Sequence, residues 1–139
     1  LKEGLRDGTI DAIATDHAPH ASHLKEQPLD QAPPGMLGLE TALALSLTEL
    51  NMETHAVLAA LSWNPARIAG VGDRHGRPIA VGEQANVAIF DPTHEWVVDR
   101  DVVASKSKNT PYHGRTVRGK VRHTVFAGQV VVRDGVAQR

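Results

Sequence analysis

A short apolar strand of the parallel-sheet kind cannot stand alone, and Ile10-Asp11-Ala12-Ile13-Ala14 is one with no second of its type in the chain. Strands that alternate with helices need neighbours on both sides, so this segment implies partners supplied by earlier residues of a longer chain. The residues just past it bring chemistry rather than packing. Ala14-Thr15-Asp16-His17-Ala18-Pro19-His20 sets a carboxylate and two imidazoles at the strand's end, where parallel α/β folds assemble active sites. Pro19 forbids a helix from carrying both histidines across the turn. Asp16 therefore closes the strand and the histidines lie on a loop. Carboxylate and imidazole suit a divalent cation and proton transfer.

The first residue is Leu1, and no charged leader with a long apolar run precedes the strand. We read the chain as a piece of a soluble, cytoplasmic protein that crosses no membrane. The absence of cysteine excludes disulfides and thiolate metal sites, leaving oxygen and nitrogen donors for any metal. A formal net charge of −1 gives no electrostatic reason for nucleic acid as a partner. The basic stretch Lys106 to Arg122 is broken by Thr110, Pro111 and Gly114 and has little aromatic content. It reads as a solvated segment or a contact for a small anion.

Along the chain, Leu1 to Arg6 reads as a helix end stopped by Gly8. Glu26 to Gly38 holds Pro28, Pro33, Pro34 and Gly35 and reads as a long active-site loop. Leu39, Leu43, Leu47 and Leu50 recur at helical spacing and predict a core-facing stripe. A second helix is expected from His55 to Leu61, capped by Thr54. After it, Asn64 can cap a short helix with Pro65 in its first turn and Gly70 at its end. Beyond Gly72 short valine-rich stretches predict strands at Val87 to Phe90, Trp96 to Val98, Val121 to Phe126 and Gln129 to Arg133. Ala127-Gly128 and Asp134-Gly135 are hairpin turn signals.

Thr15-Asp16-His17-Ala18-Pro19-His20, Pro33-Pro34-Gly35-Met36-Leu37-Gly38-Leu39-Glu40-Thr41 and Asn64-Pro65-Ala66 together resemble the C-terminal part of the dihydroorotases, cyclic amidohydrolases of pyrimidine synthesis. Ser105 to Gly114 and the hairpin Val121 to Val132 are similar to that family's later segments, in the same order. The resemblance implies an α/β chain: the last strand and helices of a metal-dependent TIM-barrel hydrolase over residues 1–71, then part of a small β-sandwich over 72–139. Ile10 to Thr15 would be the eighth barrel strand, with Asp16 on the C-terminal rim.

In that family two zinc ions are held by a His-x-His pair, a carboxylated lysine or an acid, two further histidines and a last aspartate. The resemblance carries only the last of these onto this chain, as Asp16. It implies Asp16 as metal ligand and general acid/base, against the alternative of an aspartate that merely caps a loop. It implies His20 as the contact for the substrate carboxylate, and Pro34 and Gly35 as backbone contacts for the pyrimidine ring. Pro34 departs from the larger residue usual there and offers only its carbonyl and ring.

His17 could orient Asp16, wall the pocket or serve structure, while His23 is expected to face outward. Lys106, Lys108 and His113 read as an ordered crossing loop rather than an anion site, and Trp63 and Trp96 as packing residues. The implied reaction is reversible hydrolysis of L-dihydroorotate to N-carbamoyl-L-aspartate, with this segment inactive alone. Alternatives are an allantoinase, hydantoinase or dihydropyrimidinase, a catalytically silent subunit scaffolding aspartate transcarbamoylase, or a self-contained metal module built on Asp16, His17, His20 and His23. Beyond its own N-terminal part, the partners implied are a further copy in a homo-oligomer or aspartate transcarbamoylase.

Overall fold

In the computed structural model residues 1–138 are described: five short helices followed by a four-stranded antiparallel sheet. The helices are α1 (Lys2–Arg6), α2 (Ser22–Lys25), α3 (Ala42–Glu49), α4 (Thr54–Leu58) and α5 (Asn64–Ile68). The strands β1 (Val87–Val97), β2 (Thr116–Phe126), β3 (Gln129–Arg133) and β4 (Val136–Ala137) lie in the order β1-β2-β3-β4. None of the described helices is long and apolar enough to cross a membrane.

The expected strand at Ile10 to Ala14 does not form a ladder. Its neighbours in a sheet are lacking among the described residues, so its backbone groups bond elsewhere. Ile13 N–H donates to the Ala60 carbonyl at 2.9 Å, and Asn64 Nδ2 donates to the Asp11 carbonyl at 2.8 Å. Only one residue of this region pairs as a strand would, His17, in an isolated parallel bridge with Met36.

The leucine stripe is shorter than its periodicity suggests. Helix α3 starts at Ala42, and Leu39 is 64% exposed, because the N–H groups of Gly38 and Leu39 are committed to His17. Leu47 and Leu50 do reach the core, where they meet Val57 with Leu5, Ile13, Leu43 and Phe90 around them. A second cluster joins helix to sheet: Ala44 against Val98 and Val117, flanked by Trp96 and Tyr112. Thr48 Oγ1 accepts from Arg118 N–H at 3.0 Å and so ties α3 to β2. Trp96 donates from Nε1 to the Gly119 carbonyl, with Lys120 Nζ 4.0 Å over its ring. Trp63, expected to be packed, is 44% exposed.

The helix expected from His55 continues instead as one broken rod. Thr54 is its first residue rather than its cap, which is Glu53. Asn64 is helical (φ −66, ψ −48) rather than capping, and a π-helical turn at Ala59–Trp63 joins α4 to α5. Pro65 has no N–H to give and its ring crowds the preceding turn, so a widened turn before it relieves the clash.

The expected strands Val87 to Phe90 and Trp96 to Val98 merge into β1, with Val98 just beyond it. Asp91-Pro92 reads as a stop in sequence, yet the Asp91 carboxylate accepts from Thr93 N–H at 2.9 Å, Thr93 Oγ1 at 2.8 Å and His94 N–H at 3.1 Å. That local turn shifts the register with β2 between Asp91 and Glu95 without ending the strand. Strand β2 likewise begins at Thr116, ahead of the expected Val121. Both hairpin signals hold. Ala127 and Asp134 take positive φ beside Gly128 and Gly135, the geometry of tight two-residue turns that pair Phe126 with Gln129 and Arg133 with Val136. One sheet is present among the described residues, with no second layer to make a sandwich.

Between β1 and β2 the chain makes an excursion that closes where Val98 N–H donates to the Arg115 carbonyl and Gly114 N–H returns to the Val98 carbonyl. Its tip reaches the loops around Asp16.

Candidate active site

Asp16 stands at the head of the Asp/His loop with φ 45, a left-handed conformation that aspartate tolerates better than most residues. Its side chain is exposed on the wall of a cleft of about 930 Å³ and hydrogen-bonds to none of the described residues. Thr15, Gly35, Met36, Arg100 and Asn109 also line that cleft. Its charged lining is balanced, Lys25, Arg100 and Lys108 against Asp16, Glu26 and Asp101.

The second wall is the Pro/Gly loop, which runs beside residues 15–20. Ala18 N–H donates to the Met36 carbonyl at 2.9 Å. Gly35 is the point of closest approach. Its φ of +120 lies where side chains are strained, and a Cβ there would stand 2.5 Å from Ala18 Cβ and 3.2 Å from His20 Nε2. Lys25 closes the loop from below, donating to the Pro33 carbonyl at 2.8 Å and the Gly35 carbonyl at 3.2 Å.

The expected substrate contacts divide. Gly35 lies on the cleft wall, whereas His20 and Pro34 are not among its lining residues and are joined to each other, Nε2 of His20 lying 2.9 Å from the Pro34 carbonyl. A ring nitrogen facing a carbonyl must carry the proton, so neutral His20 presents a bare Nδ1.

His17 has a structural task. Its Nδ1 accepts from Gly38 N–H at 3.0 Å and Leu39 N–H at 3.3 Å, which locks the strand end to the start of the α3 approach. His23 lies exposed on α2. No three His, Asp or Glu side chains among the described residues come together as a metal group, so the histidines of the loop do not converge with Asp16.

The crossing loop behaves as a braced strut. Glu40 accepts from Ala104 N–H at 2.9 Å and Ser105 N–H at 3.1 Å, and Lys108 Nζ donates to the Val103 carbonyl at 3.2 Å. His113 Nδ1 accepts from the Arg100 backbone N–H at 3.2 Å. Two residues of this site are not singled out by the sequence: Lys25, which bonds the Pro33 and Gly35 carbonyls, and Asn109, named only within the stretch Ser105 to Gly114, which bonds backbone groups of residues 18–20 and Gly35. Side-chain to backbone bonds of this kind leave no periodicity and no motif.

Comparison with known proteins shows which family the chain belongs to. The amidohydrolase family model matches residues 1–131. The chain is 46% identical over 142 residues to a dihydroorotase of Mycobacterium leprae, covering 96% of this chain and 32% of that protein. It is 47% identical over 137 residues to a dihydroorotase of Chlorobaculum tepidum, covering 96% of this chain and 30% of that one. The chain thus spans about a third of the length of the curated relatives it matches. Among solved structures, a D-hydantoinase (dihydropyrimidinase) from Thermus sp. superposes with a TM-score of 0.89 at 26% identity, over 99% of this chain and 31% of that one. An L-hydantoinase (dihydropyrimidinase) from Arthrobacter aurescens superposes with a TM-score of 0.86 at 26% identity, over 100% and 32%. From the match over residues 1–131, the chain belongs to the amidohydrolase family.

Proposed function

We propose that this chain is the C-terminal third of a zinc-dependent dihydroorotase, which interconverts L-dihydroorotate and N-carbamoyl-L-aspartate in the cytoplasm. Residues 1–71 would complete a TIM barrel, and 72–139 would supply part of a β-sandwich whose other strands come from upstream. The observation that carries the reading is Asp16: an exposed carboxylate at positive φ, without a partner among the described residues, on the wall of a cleft edged by a glycine loop. Identity of 46% and 47% to dihydroorotases, against 26% to the hydantoinases, favours the orotate-type substrate.

The donor set fits one edge of a metal centre. Asp16 is a hard oxygen donor of the kind zinc accepts, and it is the one ligand we assign to this chain, so the remainder belongs to the upstream part. Zinc, when bound, polarises the amide carbonyl and lowers the pKa of water.

The rest of the chemistry falls to side chains and backbone. Asp16 accepts the proton released as water adds to the ring carbonyl carbon, and delivers it to the ring nitrogen as the C–N bond breaks. His20, held through Nε2 by the Pro34 carbonyl, can donate from Nδ1 to the substrate carboxylate once it has taken a second proton. Gly35, without a side chain, lets its backbone approach the ring.

The test is a substrate panel on the full-length protein loaded with zinc: L-dihydroorotate, 5,6-dihydrouracil and hydantoin. A site that hydrogen-bonds a carboxylate should favour dihydroorotate by at least about a hundredfold in kcat/KM. The reverse order would assign the protein to the hydantoinase reading, and turnover of none of the three would point to a catalytically silent subunit.

A further inference from the structure

Asn109 touches both walls of the cleft at once. Its Oδ1 accepts from His20 N–H at 3.1 Å, while Nδ2 donates to the Ala18 carbonyl at 2.9 Å and to the Gly35 carbonyl at 3.4 Å. Its own carbonyl accepts from Leu37 N–H at 3.1 Å. These bonds meet where the two loops come closest, beside Gly35 and Ala18.

Asparagine suits the place for a chemical reason. The site needs one acceptor and a two-pronged donor on a short, planar group. Ionised aspartate offers no donor, serine or threonine offers one, and glutamine is a methylene longer. The residue is also held from behind. Thr110 N–H reaches the Lys108 carbonyl at 2.9 Å, a three-residue turn centred on Asn109, and Pro111 follows. Lys108 and Glu40 brace the same excursion.

We infer that Asn109 is a positioning residue of the active site: its amide clasps residues 18–20 to Gly35 and so sets where Asp16 and His20 stand. The inference rests on the dihydroorotase reading for its kinetic consequence, but the clasp itself is independent of it. It makes the excursion between β1 and β2 a working part of the site, linking the sheet to the catalytic loop.

The experiment compares wild type, Asn109→Ala and Asn109→Asp in the full-length protein, with kcat and KM for L-dihydroorotate from about pH 8 to about pH 4, which reaches the ordinary aspartate range, and hydrogen exchange over residues 16–24 and 33–39. Asn109→Ala should lower kcat/KM at least about tenfold and speed exchange in both segments, with cooperative melting retained. Asn109→Asp keeps the acceptor but turns an anionic oxygen on two carbonyls. Its activity relative to wild type should be lowest near pH 8 and recover as the carboxyl takes a proton and donates again. A purely structural residue would lower activity by the same factor at every pH.

Unchanged kcat/KM in both variants, or a constant ratio for Asn109→Asp across pH, overturns the inference. Should Asn109→Ala fail to fold, the isosteric Asn109→Asp profile decides alone. If wild type does not hydrolyse dihydroorotate, the functional reading fails, and the exchange of the two segments still decides whether the clasp exists.

Discussion

Replacing Gly35 by alanine should open the site more than any comparable change to a surface glycine. The new Cβ would lie 2.5 Å from Ala18 Cβ, where ordinary contact begins at 3.4 Å, so one loop must retreat by about an ångström. Forcing a side chain into φ +120 adds strain. Each effect costs about 1–3 kcal/mol, giving about 2–6 kcal/mol together. At about 1.4 kcal/mol per factor of ten, even the lower bound speeds local opening about thirtyfold. Hydrogen exchange over residues 15–24 and 33–39 of the full-length protein reads this directly. Gly8→Ala is the control, since Gly8 also has positive φ (+82) but nothing within 4 Å of a Cβ, leaving about 1–2 kcal/mol of backbone strain alone. Equal exchange in the two variants, or no change in Gly35→Ala, would refute the close approach as the reason for glycine.

His20→Ala should raise KM for L-dihydroorotate by about tenfold or more while leaving an uncarboxylated dihydropyrimidine nearly untouched, and equal losses on both would show a histidine that only supports the Pro34 loop. Acid should loosen the sheet through Asp91, whose carboxyl the Thr93 backbone and hydroxyl hold below its ordinary 3.8. A depressed carboxyl contributes stability that is present above its unfolded value and lost as pH falls through its folded one. Glu49, held below its ordinary 4.5 first by the Lys2 hydrogen bond and then by Arg115, acts in the same direction. The urea midpoint, followed from about pH 6 to about pH 2, should therefore fall less steeply in Asp91→Asn than in wild type, and parallel curves would contradict the assignment.

Where local chemistry decides structure, the sequence was legible. The two turns at Ala127-Gly128 and Asp134-Gly135, the pairing of β2 with β3 and the buried Leu47 and Leu50 follow from short-range signals. Asp91-Pro92 misled because the same side chain that usually ends a strand here satisfies its own bulge. Asn64-Pro65 misled because a proline that opens a helix and one that follows a π turn look alike in sequence. The apolar run Ile10 to Ala14 failed as a strand for a different reason: a ladder needs a partner, and periodicity reports only one side of it. Asp16, His20, Pro34 and Gly35 were visible as a motif. The bonds through which Lys25 and Asn109 hold those loops were not, since each joins a side chain to a backbone group with no pattern to mark it.

The central claim is that Asp16 moves the proton. The full-length enzyme carrying Asp16→Asn, folded as judged by its melting curve, should turn over L-dihydroorotate at least about a hundredfold more slowly at saturating substrate. Turnover within about twofold of wild type would contradict it.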